Sequence, residues 1–220
     1  MKEYALSTSC GKDYDGFLLC LTFESVLNYL DSIKAEPLIS SSKGILLIDQ
    51  LLQNCNDPRE RLALLNEYLE GFKGTVYRQT MFAEFEMKAH QMAQQGQSLD
   101  CDSLSEVYEN LIKLYFGDEL VIDPEVKYEW ARIPHFFNPF YVYVYATGYT
   151  SAVAIKEGIL KQGQSAVDRY LQFLSMGSSD YPLNELKHAG VDLTSSESID
   201  RAFEKLEEIL DDAEKTIELL

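Results

Sequence analysis

The residues best suited to chemistry lie between Ile133 and Ala152, in Ile-Pro-His-Phe-Phe-Asn-Pro-Phe-Tyr-Val-Tyr-Val-Tyr-Ala-Thr-Gly-Tyr-Thr-Ser-Ala. His135 stands there with Tyr141, Tyr143, Tyr145 and Tyr149, while the flanks are ordinary charged helical sequence. Phenols beside an imidazole donate hydrogen bonds to a carbonyl oxygen, or to the oxyanion that forms when that carbonyl is attacked. The same residues also fit an aromatic core stripe with His135 as a satisfied core histidine. Residue types alone leave both readings open.

Some element has to hold these side chains in place. Tyr141 to Tyr145 alternates like a strand, but Asn138-Pro139 is a helix-start signal, Asn as N-cap and Pro in the first helical position. The pattern therefore predicts an entry loop and then a helix over 139–162. On that helix Tyr141, Tyr145 and Tyr149 are spaced i, i+4, i+8 and share a face, with Tyr143 pointing elsewhere.

The rest of the chain reads as helices too. Phe17, Leu18, Leu21, Val26, Leu27, Leu30 and Ile33 recur at helical spacing and predict a helix over 14–34. Pro37 and Ser40, Ser41 and Ser42 predict a loop before a shorter helix at Ile45–Leu52. Asp57-Pro58 is a further start signal, with Asp57 as N-cap. From there to Gly96 the apolar residues hold one stripe, predicting a single long helix or two collinear ones joined around Gly71 and Gly74. Arg78, Gln79, Glu84, Glu86, Lys88 and His90 read as its solvated face. Ser103-Leu104-Ser105-Glu106 reads as a capping box for a helix that ends before Gly117. Asp123-Pro124-Glu125 starts a short helix, and Ser165–Met176, Leu183–Ala189 and a last helix ending near Leu220 complete the series. No stretch demands a sheet, so the fold class is all-α.

Composition narrows the partners. A net charge of −17 with 19 basic residues leaves no concentrated basic patch for phosphate and disfavours nucleic acid and anionic membrane surfaces. Cys10, Cys20, Cys55 and Cys101 form no CxxC pair or compact disulfide pattern, so reduced thiols in a cytoplasmic protein are expected. The apolar run Phe17–Leu30, broken by Glu24, is too short for a membrane span.

One resemblance adds to this. The run from Leu65-Asn66-Glu67-Tyr68-Leu69-Glu70-Gly71-Phe72 to Arg78-Gln79-Thr80-Met81-Phe82-Ala83-Glu84-Phe85-Glu86 resembles the C-terminal catalytic region of oligoendopeptidase F, a zinc metallopeptidase related to thimet oligopeptidase. So do Trp130-Ala131-Arg132-Ile133-Pro134-His135-Phe136, Tyr141-Val142-Tyr143, Tyr145-Ala146-Thr147-Gly148 and Gly177-Ser178-Ser179-Asp180-Tyr181-Pro182, in colinear order. The resemblance implies a helical, zincin-type peptidase body in which His-Glu-x-x-His on one helix and a downstream glutamate hold zinc, and short peptides are cut by the metal-bound water. It also implies substrate and oxyanion binding by His135, Tyr141, Tyr143 and Tyr145.

The chain departs from that family at its centre. No His-Glu-x-x-His occurs, and the first histidine is His90. Residues 1–43 do not resemble the zinc-bearing segment, which divides the chain into a divergent, helical 1–43 and a family-like domain over 44–220. Glu36 falls near the place of the third-ligand glutamate, though Pro37 spoils the match. The expectation is a C-terminal region of such an enzyme with no zinc bound by this chain alone and no peptidase activity by itself. Its partners would be short peptides, with a missing N-terminal half or a second copy. The rival reading is a non-catalytic helical module that binds peptides or proteins and self-associates.

Overall fold

The computed structural model describes residues 36–117, 119–177 and 179–220, with side chains from residue 44 onward except Leu46. Every regular element among them is helical, as the periodicity predicts. They are α1 (Glu36–Asn54), α2 (Pro58–Phe72), α3 (Arg78–Gln94), α4 (Cys101–Phe116), α5 (Tyr143–Gln162), α6 (Gln164–Met176), α7 (Pro182–His188) and α8 (Glu197–Ile217). A π turn, Lys73–Tyr77, joins α2 to α3, and two 3-10 turns, Val126–Arg132 and Pro134–Phe137, precede α5. The helix expected over 14–34 lies outside the described residues.

The chain packs as two compact units: residues 36–71 with Thr147–Leu220, and Phe72–Ala146. In the first, Ala154, Ile155, Tyr170, Phe173, Leu174, Ala189 and Val191 form a buried cluster from α5, α6 and the α7 end. Leu65 and Tyr68 of α2 are fully buried in the same unit. Arg61 of α2 donates to Leu52 C=O at 2.9 Å and, through Nε, to Asp212 of α8 at 3.1 Å. The bond to Asp212 raises its pKa further. In the second unit Met81, Phe82 and Phe85 of α3 pack against Tyr108, Leu111 and Ile112 of α4 and against Val142.

Several local expectations are corrected. Helix α1 runs straight through Pro37 and Ser40–Ser42, where the residue pattern predicts a loop. Proline is tolerated in a first helical turn, where its N–H would be unpaired anyway, and burial of Ile45, Leu47 and Leu52 secures the rest of the helix. Position 43 falls inside this helix. Helix α4 begins at Cys101, not Ser103: Asp100 accepts from Ser103 N–H at 2.9 Å, and Ser103 Oγ accepts from Asp100 N–H at 3.2 Å. The capping box is real but three residues earlier, because a carboxylate competes well for free amides at a helix start. Asp57 does cap α2, accepting from Arg59 and Glu60 N–H at 2.8 and 3.1 Å. The stop at Gly117 holds, and Gly177 and Gly190 follow helix ends in the same way, each glycine at positive φ.

The tyrosine helix is corrected too. It begins at Tyr143, because Phe140 adopts φ 58°, which no right-handed helix can include. Asn138-Pro139 opens a turn instead. Tyr141 therefore precedes the helix, and Tyr149 does not continue its face: it is buried, its ring 6.5 Å from that of Tyr68.

No helix among the described residues is long and apolar enough to cross a membrane.

Candidate functional site

The two 3-10 turns of the second unit bring His135 into place. Glu129, in the first, accepts from Tyr108 Oη of α4 at 2.8 Å, from Arg132 at 2.6 Å and from Arg78 of α3. Next to it Trp130 Nε1 donates to Ser105 Oγ at 3.1 Å. The bonds to Tyr108, Arg78 and Ser105 tie the turn to α3 and α4, so the chain reaches Pro134-His135 from a fixed base. Phe136 then packs on Phe82 and Phe85, with centroids 5.8 and 5.4 Å apart, and pins the second turn from the other side of His135.

His135, Tyr141 and Tyr145 meet here and are all half-buried. The Tyr141 ring lies nearly parallel to the imidazole, 5.8 Å away at 7°, and Tyr145 stands edge-on to both. Tyr145 Oη donates to Tyr141 Oη at 3.3 Å and lies 3.5 Å from His135 Nε2, a long contact. Burial, then the bond to Tyr141, pushes the Tyr145 phenol up from 10.0 to about 12. Near neutral pH it therefore stays protonated and able to donate. Three polar tips, partly open to solvent, can thus hold a carbonyl oxygen or a developing oxyanion.

The raised phenol sets a measurable pH dependence. The folded state holds the Tyr145 proton more tightly than the unfolded chain does, so this contribution to stability is complete below pH 10 and declines between pH 10 and about 12. The stability difference between the unaltered chain and Tyr145→Phe is expected to be flat below pH 10 and to shrink above it. Denaturant titrations at stepped pH read this out, and an equal slope in both proteins would contradict it.

The other candidates fall elsewhere. Tyr143 opens α5 with about half its surface exposed. Glu36 is the first residue of α1, and its side chain is outside those described. Among the described residues no three His, Cys, Asp or Glu side chains gather as a metal ion would require. His90 lies on α3 and His188 on α7, in different units.

The face of α3 read as solvated is so at Arg78 and His90, both exposed, but not at Glu86. Glu84 accepts from Tyr115 Oη at 2.7 Å, a bond that holds its carboxyl below the ordinary range. Arg78 is bound to Glu129. Glu86 is buried and accepts from Phe140 N–H at 2.6 Å. One signal for Glu86 was present in the sequence: it follows Phe82 by four residues, on the core side of the helix.

Comparison with known proteins follows the same lines. Residues 40–205 match the model of Peptidase family M3. The chain is 52% identical over 186 residues to Oligopeptidase PepF of Bacillus subtilis (strain 168), covering 84% of this chain and 28% of that protein. It is 41% identical over 179 residues to the plasmid-borne Oligoendopeptidase F of Lactococcus lactis subsp. cremoris, covering 81% of this chain and 30% of that one. The chain thus spans less than a third of the length of these curated relatives. The crystal structure of oligoendopeptidase-F from Enterococcus faecium superposes with a TM-score of 0.86 at 39% identity, over 93% of this chain and 40% of the other.

Proposed function

The chain belongs to Peptidase family M3, and from that premise we propose that it forms the C-terminal, substrate-facing region of an oligoendopeptidase F-like metallopeptidase acting on short peptides. The observation that carries this reading is the His135–Tyr141–Tyr145 cluster: linked hydroxyls and an imidazole, half-open to solvent, in the part of the chain that matches the family. Tyr145 and His135 would bind the carbonyl of a peptide and steady charge that develops on its oxygen, with Tyr141 orienting both and Tyr143 at the rim. Residues 1–43 would lie outside the family-like domain of 44–220.

Zinc, which the family implies, does not fit the described residues, since no three suitable donors converge among them. Glu36 would be at most one ligand, and a histidine pair at helical spacing is absent from the sequence. These 220 residues by themselves would bind short peptides without cutting them, and the metal ligands would come from outside them.

Titration calorimetry with short peptides, alongside mass spectrometry of the same mixtures with and without added zinc, tests this. Binding is expected, weakened roughly tenfold by Tyr145→Phe or His135→Ala as one hydrogen bond to the ligand is lost, with no cleavage products. Zinc-dependent cleavage by the chain alone would overturn the division of labour. Binding insensitive to both substitutions would overturn the site. Dimerisation is supported by α8, whose Ile199, Leu210 and Ile217 share one helical face and are 44, 44 and 57% exposed. Sedimentation showing a monomer at micromolar concentrations would remove it. Cys55 and Cys101, free of any disulfide among the described residues, fit a cytoplasmic setting.

A further inference from the structure

The turn that delivers Tyr141 is built from residues that do not favour it. Asn138, Pro139, Phe140 and Tyr141 form a four-residue turn closed by Tyr141 N–H donating to Asn138 C=O at 3.2 Å. Pro139 in its second position fixes φ near −65° and so excludes the mirror-image turns. With φ 58° in the third position the turn is of type II. Glycine or asparagine normally takes that third position, because a side chain there crowds the backbone. Here it holds phenylalanine. Such a conformation persists only where the surroundings impose it.

Two side chains one turn apart on α3 impose it. Glu86, 5% exposed, accepts from Phe140 N–H with Oε1, an amide that the turn's own hydrogen bond does not use. Its Oε2 is buried without a hydrogen-bond partner among the described residues. A carboxylate half unsatisfied in the interior is a poor choice for packing alone, so the bond it does make is what accounts for it. His90, four residues on, stacks on the Phe140 ring, with centroids 4.8 Å apart and planes at 28°. Backbone and ring of the strained residue are both held from the same helix.

We propose that Glu86, seconded by His90, is a positioning residue for the candidate site. By holding Phe140 N–H it keeps the 138–141 turn in its left-handed form, and the turn sets Tyr141 flat against His135 and within reach of the Tyr145 hydroxyl. Its consequence for a ligand rests on the peptide-binding reading above. Its geometry does not.

The test uses the whole chain with labelled histidine and reads the His135 ring signals by NMR, which the parallel Tyr141 ring displaces; Tyr141→Ala marks where they fall once that contact is gone. Glu86→Gln, whose amide oxygen still accepts the N–H, is expected to leave them in place. Glu86→Ala is expected to move them to the Tyr141→Ala position and to weaken short-peptide binding roughly tenfold, through misplacement of a positioned group. Adding Phe140→Gly to Glu86→Ala is expected to bring the signals back, because glycine adopts positive φ without help. If Glu86→Ala loses its helical circular dichroism, this double variant carries the test: recovered fold and signals support the proposal, and failure to recover overturns it. His135 signals unmoved in a folded Glu86→Ala overturn it as well. If the unaltered chain binds no peptide while Glu86→Ala still moves the signals, the functional reading falls and the positioning role stands. If peptide binds and Glu86→Ala changes neither signals nor binding, the reverse holds.

Discussion

Lys156→Ala is expected to lower the unfolding free energy by about 3–5 kcal/mol, the range for removing one partner of a buried ion pair. The Lys156 side chain is 1% exposed on α5, with Nζ 2.6 Å from Asp49 Oδ2 of α1 and 3.5 Å from Glu157 Oε1. No further partner for Nζ stands among the described residues, so the two carboxylates account for its burial. The negative pair also acts on its neighbours. Lys205 has its pKa lowered by burial, but the bond to Glu208 and the charges of Asp49 and Glu157 raise it overall. The Tyr68 and Tyr149 phenols are pushed up by burial first, with Asp49 adding to the effect. Alanine at 156 would take from Asp49, 14% exposed, the cation 2.6 Å away, while Glu157 keeps Lys161. Lys156→Met with Asp49→Leu is expected to cost far less, since an apolar pair of similar volume avoids the desolvation of both charges. Urea denaturation of the single and double variants decides this. A single-variant loss below about 1 kcal/mol would show that the cation is dispensable.

Glu129→Ala is expected to cost about 2–4 kcal/mol in the second unit. Its carboxylate is the shared acceptor for Tyr108, Arg78 and Arg132, and its side chain is 13% exposed. The two guanidinium groups, 44 and 77% exposed, can turn to water, so their share is small. Tyr108 cannot. Its ring is fully buried, and burial followed by the bond to Glu129 already pushes its phenol pKa far up. Without the acceptor its hydroxyl is left unsatisfied in the interior, and the 3-10 turn loses its tie to α4. Trp130, the single tryptophan and the adjacent residue, reports the change directly by fluorescence. An unfolding midpoint unchanged by Glu129→Ala would mean that Trp130 and Phe136 hold the turn unaided. Because His135 follows Arg132 by three residues, the same variant is expected to loosen the candidate site.

Much of the molecule is legible from local sequence. Helical periodicity finds α2 to α8, though not the start of α5, Asp57 caps where its carboxylate can reach two free amides, and Gly117, Gly177 and Gly190 end helices where positive φ is needed. The colinear motifs between Leu65 and Pro182 identify the family, and His135, Tyr141 and Tyr145 come forward as one group on residue type and proximity in the chain. These are properties of neighbours in sequence, set by backbone sterics and by hydrogen bonds that close over a few residues.

What the tertiary structure decided depends on partners far along the chain. Helix α1 tolerates Pro37 in its first turn, but what secures it past Ser40–Ser42 is the burial of Ile45, Leu47 and Leu52 further on. The pattern aligned Tyr141, Tyr145 and Tyr149 on one helix, whereas Tyr141 precedes the helix and reaches Tyr145 through their hydroxyls, and Tyr149 is buried against Tyr68. The turn exists because Phe140 N–H is taken by Glu86, 54 residues earlier. A pattern read within one helix counts Glu86 as polar and assigns it to solvent. Only the packing of the 138–141 turn against α3 turns that charge inward, because the amide it satisfies belongs to another element.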